Sequence, residues 1–146
     1  MCWVTGCLTG RIHNMKRANF AGVVCEQDGK MLLVQEGHKE AYGLWSFPLG
    51  CCETDELPEV CAVREAKEET GLYVPTTSLI SELVLRNDEF KSTSKFDFAE
   101  VHLFLYQARV HDGVLACGED VLDVRWVEKG NALQLPLRGK WMSDFI

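Results

Sequence analysis

Residues Gly50–Leu72 read GCCETDELPEVCAVREAKEETGL, and this stretch decides the fold. Thr54 or Asp55 can cap a helix here, Pro58 fits its first turn, and Gly71 is suited to its end. The signals predict a helix from about Leu57 to Thr70. At about 100° per residue, Glu65, Glu68 and Glu69 fall within one arc. Val60, Ala62, Val63 and Ala66 are read as the side that packs on a sheet, with the carboxylates pointing away from it. Like charges at i,i+3 and i,i+4 destabilise a helix by roughly 0.2–0.5 kcal/mol per pair. Arg64 is only adjacent to Glu65, and Lys67 lies on another face. Two readings of the acids stand at this point. One is a solvated acidic face; the other is a set of oxygen ligands for a hard divalent cation.

The charge balance follows from the same stretch. The chain has 146 residues and a net charge of −7. Residues 53–69 hold seven acids against two bases, so five of the seven net charges sit there. Such a surface argues against broad nucleic-acid binding, which needs basic residues. No apolar run approaches the roughly 20 residues that span a bilayer. Met1 to Leu8 lack the basic and long apolar regions of a signal peptide, which leads to the expectation of a cytoplasmic protein. The seven cysteines include no Cys-x-x-Cys pair, so a zinc site has no support, and they are read as reduced thiols.

Working outward, Phe20 to Glu26 reads as a strand, Gln27-Asp28-Gly29 as a hairpin turn and Lys30 to Gln35 as the returning strand. Glu36 to Gly43 is a polar loop and Leu44 to Phe47 a short apolar piece. Thr76 to Arg86, Phe96 to Val110 and Val121 to Val127 read as three more strands, with a polar loop over Asn87 to Ser94. Leu137, Trp141, Met142 and Phe145 predict a second helix over Pro136 to Phe145. The order β-β-β-α-β-β-β-α implies an α/β domain, a mixed sheet with helices packed on it. Residues 1–17 read as an extension, either a flexible arm or a short cap, before a domain over residues 18–146.

The full spacing is Gly-x5-Glu-x7-Arg-Glu-Ala-x-Glu-Glu-x-Gly-Leu. It is carried by Gly50, Glu56, Arg64, Glu65, Ala66, Glu68, Glu69, Gly71 and Leu72. This resembles the Nudix box, the 23-residue signature of the MutT-like Nudix hydrolases. Ala66 stands where a bulkier aliphatic residue is usual. The preceding Phe47-Pro48-Leu49-Gly50 resembles the family's Pro-x-Gly-Gly entry, with Leu49 replacing the first glycine. The resemblance implies the Nudix fold, an α/β/α sandwich around a mixed β-sheet. It also implies a hydrolase dependent on Mg²⁺, with Mn²⁺ as a substitute. The reaction would cleave a pyrophosphate linkage in a small nucleoside di- or triphosphate or another nucleoside diphosphate derivative. The metal ligands implied are Glu65, Glu68 and Glu69, with the backbone at Gly50. Glu65 doubles as general base, and Arg64 holds a glutamate, with Glu56 as partner.

Glu119 and Asp120 are the candidates for a further acid outside the box. Trp45, Phe47 and His38 are the substrate-binding candidates, although core packing has the larger share for the two aromatics. The partner expected is a small nucleotide or diphosphate, with no membrane and no stable nucleic acid, and a homodimer is an assembly that the resemblance allows. The alternatives are a Nudix-fold ligand-sensing or interaction module of weak activity, or another diphosphate-acting enzyme of the fold.

Overall fold

The computed structural model describes residues 8–12, 15–91 and 100–146. A 13-residue strand, β2 (Met15–Gln27), runs through the centre, and its partners build the sheet. β1 (Leu8–Ile12) pairs with its start and β3 (Lys30–Glu36) with its end. The β2–β3 turn is Asp28-Gly29, with φ of 52° and 77°, the positive values that a tight Asp-Gly hairpin demands. β4 (Trp45–Ser46) lies on β3, and β5 (Leu49–Cys51) lies on β2. The helix α1 (Pro58–Thr70) follows, then β6 (Leu72–Tyr73), β7 (Thr76–Arg86) and the single turn α2 (Asn87–Phe90). The rest is β8 (Glu100–Ala108), β9 (Asp112–Gly113), β10 (Val121–Glu128), α3 (Lys129–Ala132) and a 3₁₀ helix over Lys140–Phe145. The main path is β10-β3-β2-β8-β7. β2 and β8 are parallel and the other strand pairs antiparallel, so the sheet is mixed.

Side chains alternate across a strand, so β2 and β8 feed two cores. Ala18, Phe20 and Val24 join Val101, Leu103 and Leu105 on one face, whereas Ala21, Val23 and Cys25 join Tyr106 and Ala108 on the other. α1 covers the second face through Cys61, Ala62 and Ala66. Phe90 of α2, Ala132 of α3, and Met142 and Trp141 of the C-terminal turn cover the first. Phe47 meets Trp141 and Phe145 edge-on at 6.1 and 6.4 Å. Burying each of Phe47, Leu103 and Met142 contributes roughly 1.5–3 kcal/mol. Helices on both faces of a mixed sheet give the α/β architecture. No helix among the described residues is long and apolar enough to cross a membrane.

Several elements differ from the sequence reading. The C-terminal helix is only the 3₁₀ helix over Lys140–Phe145. Leu137 instead forms a parallel bridge with Trp45, and Gly139 is extended, so the chain reaches its helical turn late. The loop after β7 opens with α2, whose Phe90 is fully buried. β1 and the start of β2 fall inside the segment read as an extension. The strand read as starting at Phe96 is described from Glu100, and residues 92–99 lie outside the described residues. α1 has Leu57 at its N-cap with no side-chain cap, so neither Thr54 nor Asp55 fills that role. Cys25, Cys52, Cys61 and Cys117 are free thiols, but Cys51 is disulfide-bonded, which corrects the reading of all seven as reduced.

Candidate functional site

α1 presents a different face to the sheet from the one its apolar residues imply. Its buried side chains are Cys61, Ala62, Glu65, Ala66 and Thr70. At 100° per residue these form one stripe, and Glu69 falls within it. Val60 is on the opposite side and is 52% exposed. Two of the three carboxylates therefore face the sheet, and Glu68 stays at the solvent edge. Packing at this point selects small residues, since the helix lies close against β5. The helix ends at Gly71, whose φ of 78° is the left-handed cap geometry that glycine tolerates.

Glu65 is 3% exposed. Its carboxylate rests against the Cα of Gly50, where any added Cβ would overlap it. Glu69 is partly buried, and its Oε1 accepts the Leu49 N–H at 3.0 Å. Leu49 thus contributes a backbone donor at the position of the missing glycine. It needs no glycine geometry, because its φ is negative. Room for its side chain comes from Gly22 of β2, where a Cβ would collide with Leu49 and with the Pro48 carbonyl.

Arg64 organises the acids around it. Its Nε and Nη2 donate to Glu56 at 2.7 and 2.9 Å, a two-pronged charge-assisted pair. Its Nη1 donates to Glu65 Oε1 at 2.9 Å and to both oxygens of Glu68 at 3.2 Å. Nη2 also reaches the Cys51 carbonyl at 3.2 Å. The hydrogen bond from Arg64 holds Glu56 below the usual carboxylate range. Burial pushes Glu65 up to about 7, against the pull of Arg64. Burial also drives Glu69 well up, and the charges of Glu36 and Glu65 add to it. Among the described residues no three His, Cys, Asp or Glu side chains form a ready metal cage; the Arg64 guanidinium lies between Glu65 and Glu68 instead.

Two buried charged residues missed by the sequence reading, Glu36 and Arg138, act on Glu69 through their charges. Glu36, at the end of β3, is 3% exposed and Arg138 is 2% exposed. Arg138 Nη1 donates to Glu36 Oε1 at 3.4 Å, and His38 Nε2 stands 3.3 Å from Glu36 Oε2. Burial lowers the Arg138 pKa, while the charges of Glu36 and Glu69 oppose that shift. A glutamate ending the apolar run Met31–Val34 was the available signal for Glu36; nothing local marks Arg138.

Glu119 and Asp120 are both exposed. Their loop crosses the end of α1, where the Gly118 N–H donates to the Glu69 carbonyl at 3.2 Å. The Asp120 carbonyl accepts the Gly37 N–H at 2.7 Å, so the loop also touches the segment that carries His38. Phe47 has no exposed surface, and Trp45 is 6% exposed with its backbone N–H on the Pro136 carbonyl. Both belong to the core, the placement that had the larger share in the sequence reading, and Phe47 packs against Trp141 and Phe145. His38 keeps some exposure beside Glu36.

A helix that buries one carboxylate against a glycine, half-buries a second and ties a third to an arginine, on a mixed sheet covered on both sides, defines a class of α/β fold. The family model for the NUDIX domain matches residues 15–146, and the chain belongs to that family. The CTP pyrophosphohydrolase of Escherichia coli (strain K12) is 31% identical over 124 residues, 84% of each chain. A MutT-like protein of Streptomyces ambofaciens is 41% identical over 59 residues. That match takes in 40% of this chain and spans only 36% of the Streptomyces protein. In three dimensions, a NUDIX hydrolase from Nitrosomonas europaea superposes with a TM-score of 0.75 at 18% identity, over 87% of this chain and 84% of that one. At that identity the likeness shows the shared fold.

Proposed function

We propose that this chain is a divalent-cation-dependent pyrophosphohydrolase of small nucleoside di- or triphosphates or other nucleoside diphosphate derivatives. The observation that carries the reading is Glu65 buried against Gly50 and Glu69, half-buried, accepting the Leu49 N–H. A merely solvated acidic face would leave all three glutamates in water. Burying carboxylates together is costly unless a counter-charge meets them. The donor set fits a hard cation such as Mg²⁺ or Mn²⁺, since Glu65, Glu68 and Glu69 offer only carboxylate oxygens from one rigid helix. Such an ion, when bound, neutralises phosphate charge and lowers the pKa of water.

The chain's own residues divide the remaining work. Glu68 and Glu69 hold the ion, and Glu65 shares in that and takes a proton from the attacking water. Arg64 ties Glu56 and Glu65 together and so fixes the loop before α1 to the helix. Gly50 leaves the space that Glu65 fills. Glu119 or Asp120 supplies a further acid, a reading supported by the anchoring of their loop on the end of α1. His38 meets a phosphate. Similarity to a CTP pyrophosphohydrolase over most of both chains supports a nucleotide as substrate.

The test is turnover of a panel of nucleoside triphosphates, nucleoside diphosphates, dinucleotides, nucleotide sugars and oxidised nucleotides with Mg²⁺ or Mn²⁺. Wild type is compared with Glu68→Gln. Hydrolysis of at least one compound by wild type, and its loss in the variant, is expected. No turnover at all, or full activity in the variant, overturns the reading, and binding without turnover would favour a ligand-sensing module.

A further inference from the structure

β7 closes the main path of the sheet, and β8 is its one strand partner among the described residues. A long edge strand offers a row of outward N–H and C=O groups to any further strand, so edges are commonly blunted by bulges, Pro or Lys. The two register shifts of β7 fall early, between Thr76 and Ser78 and between Leu79 and Ser81. From Ser81 to Arg86 the register is unbroken, and neither Pro nor Lys occurs in the strand. This second half reads Glu82-Leu83-Val84-Leu85-Arg86. Its chemistry is symmetric about Val84, with a leucine on each side, then an acid at one end and a base at the other. Val84 is 53% exposed and shares its face with Glu82 and Arg86. Leu83 and Leu85 lie on the other face, half-buried against the core.

We propose that β7 pairs antiparallel with β7 of a second copy of this chain about Val84, joining two sheets into one, with Glu82 opposite the partner's Arg86 at both ends. The contact is isologous, so the same two residues serve each side. Val84 meets the partner's Val84 on the axis, and Leu83 meets the partner's Leu85. Charge selects this register. Moving the axis two residues toward the strand's start sets Glu82 against the partner's Glu82, and two residues the other way sets Arg86 against the partner's Arg86. Like charges directly opposite destabilise a strand pair. The present contacts of these side chains do not compete strongly. Arg86 reaches Asp88 at 2.8 Å with both side chains largely exposed, and Glu82 stands 3.8 Å from His102. Exposed pairs of this kind contribute little. Five residues a side make a small interface of the transient class, so association is read at high protein concentration. The reading of α1 as a cation-binding helix plays no part in this pairing.

The experiment is sedimentation velocity on the full chain, from about 1 µM to about 1 mM. Wild type, Glu82→Arg, Arg86→Glu and the double variant Glu82→Arg/Arg86→Glu are compared at matched circular dichroism and melting temperature. Wild type is expected to move toward dimer as concentration rises. Each single variant sets like charges opposite one another, and its dimer dissociation constant is expected to rise about 10-fold or more. An equimolar mixture of the two single variants is expected to recover association, because every charge then meets its opposite, and the double variant recovers it for the same reason. Recovery on mixing separates pairing at this edge from a general loss of structure. If either charge reversal fails to fold, Val84→Lys is read instead: it sets two ammonium groups together on the axis and is expected to be monomeric. A wild type that stays monomeric over the whole range overturns the proposal and leaves the edge to a strand of a different chain. Wild-type association in a folded single variant, or in Val84→Lys where that is the variant read, overturns it by placing the dimer contact elsewhere. Folded single variants that do not associate on mixing overturn the register about Val84 and the proposal with it.

Discussion

The Cα of Gly50 faces the Glu65 carboxylate with no room for a methyl group between them. The two residues are far apart in the box, yet the glycine is required at one end because of the glutamate at the other. Overpacking in a tight site costs about 1–3 kcal/mol. Gly50→Ala is expected to lower the melting temperature and to displace Glu65, with most of the proposed pyrophosphohydrolase activity lost. Calorimetry with steady-state kinetics checks this, and a variant of native stability and full activity would contradict the contact.

Arg64 and Glu56 give a second test. Their two short bonds are partly shielded, with 23% and 10% of the side chains exposed. Hydrogen bonds to charged groups contribute about 1.5–3 kcal/mol each to stability. Arg64→Lys keeps the charge but cannot reach Glu56 with two donors while also meeting Glu65 and Cys51. A loss of about 2 kcal/mol is expected in urea unfolding. Glu56→Gln should lose a comparable amount, and the double variant Arg64→Lys/Glu56→Gln less than the sum, because both changes break one contact.

The box, its helix and the strands β3, β7 and β10 were legible because local spacing carries them: Asp28-Gly29 marks a turn wherever it sits, and Gly71 ends a helix by its own backbone freedom. The burial of Glu65 was not legible. Apolar-inward reasoning sends Val60 to the sheet and the glutamates to water, and only the close approach of β5 at Gly50 reverses this. The Glu36–Arg138 pair was hidden for another reason. Its members stand 102 residues apart, so no window of sequence contains them both. The C-terminal turn was misread as a longer helix because Leu137 shares helical spacing with Trp141 but is taken by Trp45.

Phe47 and Tyr42 separate core from surface among the aromatics near the site. Phe47 is fully buried, whereas Tyr42 is 65% exposed. Phe47→Ala is expected to cost about 3–5 kcal/mol by leaving a cavity among Trp141 and Phe145. Phe47→Leu should lose less stability and leave KM close to wild type, since the ring touches no substrate. A large rise in KM for Phe47→Leu at native stability would return this residue to the binding site. Tyr42→Ala is expected to leave stability within about 0.5 kcal/mol.

The pH dependence of the metal-free protein follows from Glu65. Burial raises its carboxyl from 4.5 to about 7. Between these values the folded chain binds more protons than the unfolded chain, so stability falls as pH rises through that window. A rise of this size corresponds to about 3 kcal/mol, or a melting temperature lower by about 10 °C at pH 8 than at pH 4.5. Glu69 shifts in the same direction, through burial and the charges of Glu36 and Glu65, and adds to the decline. Glu56, shifted downward, acts in the opposite sense only below its ordinary range. A divalent ion requires ionised carboxylates, so its binding strengthens with pH and opposes the slope. Thermal melts from pH 4.5 to 8 in chelator should show the decline, and millimolar Mg²⁺ or Mn²⁺ should flatten or reverse it above pH 6. A melting temperature that rises with pH in chelator would mean that Glu65 is ionised in the folded chain without a cation, and the buried-carboxylate account of the site would fail with it.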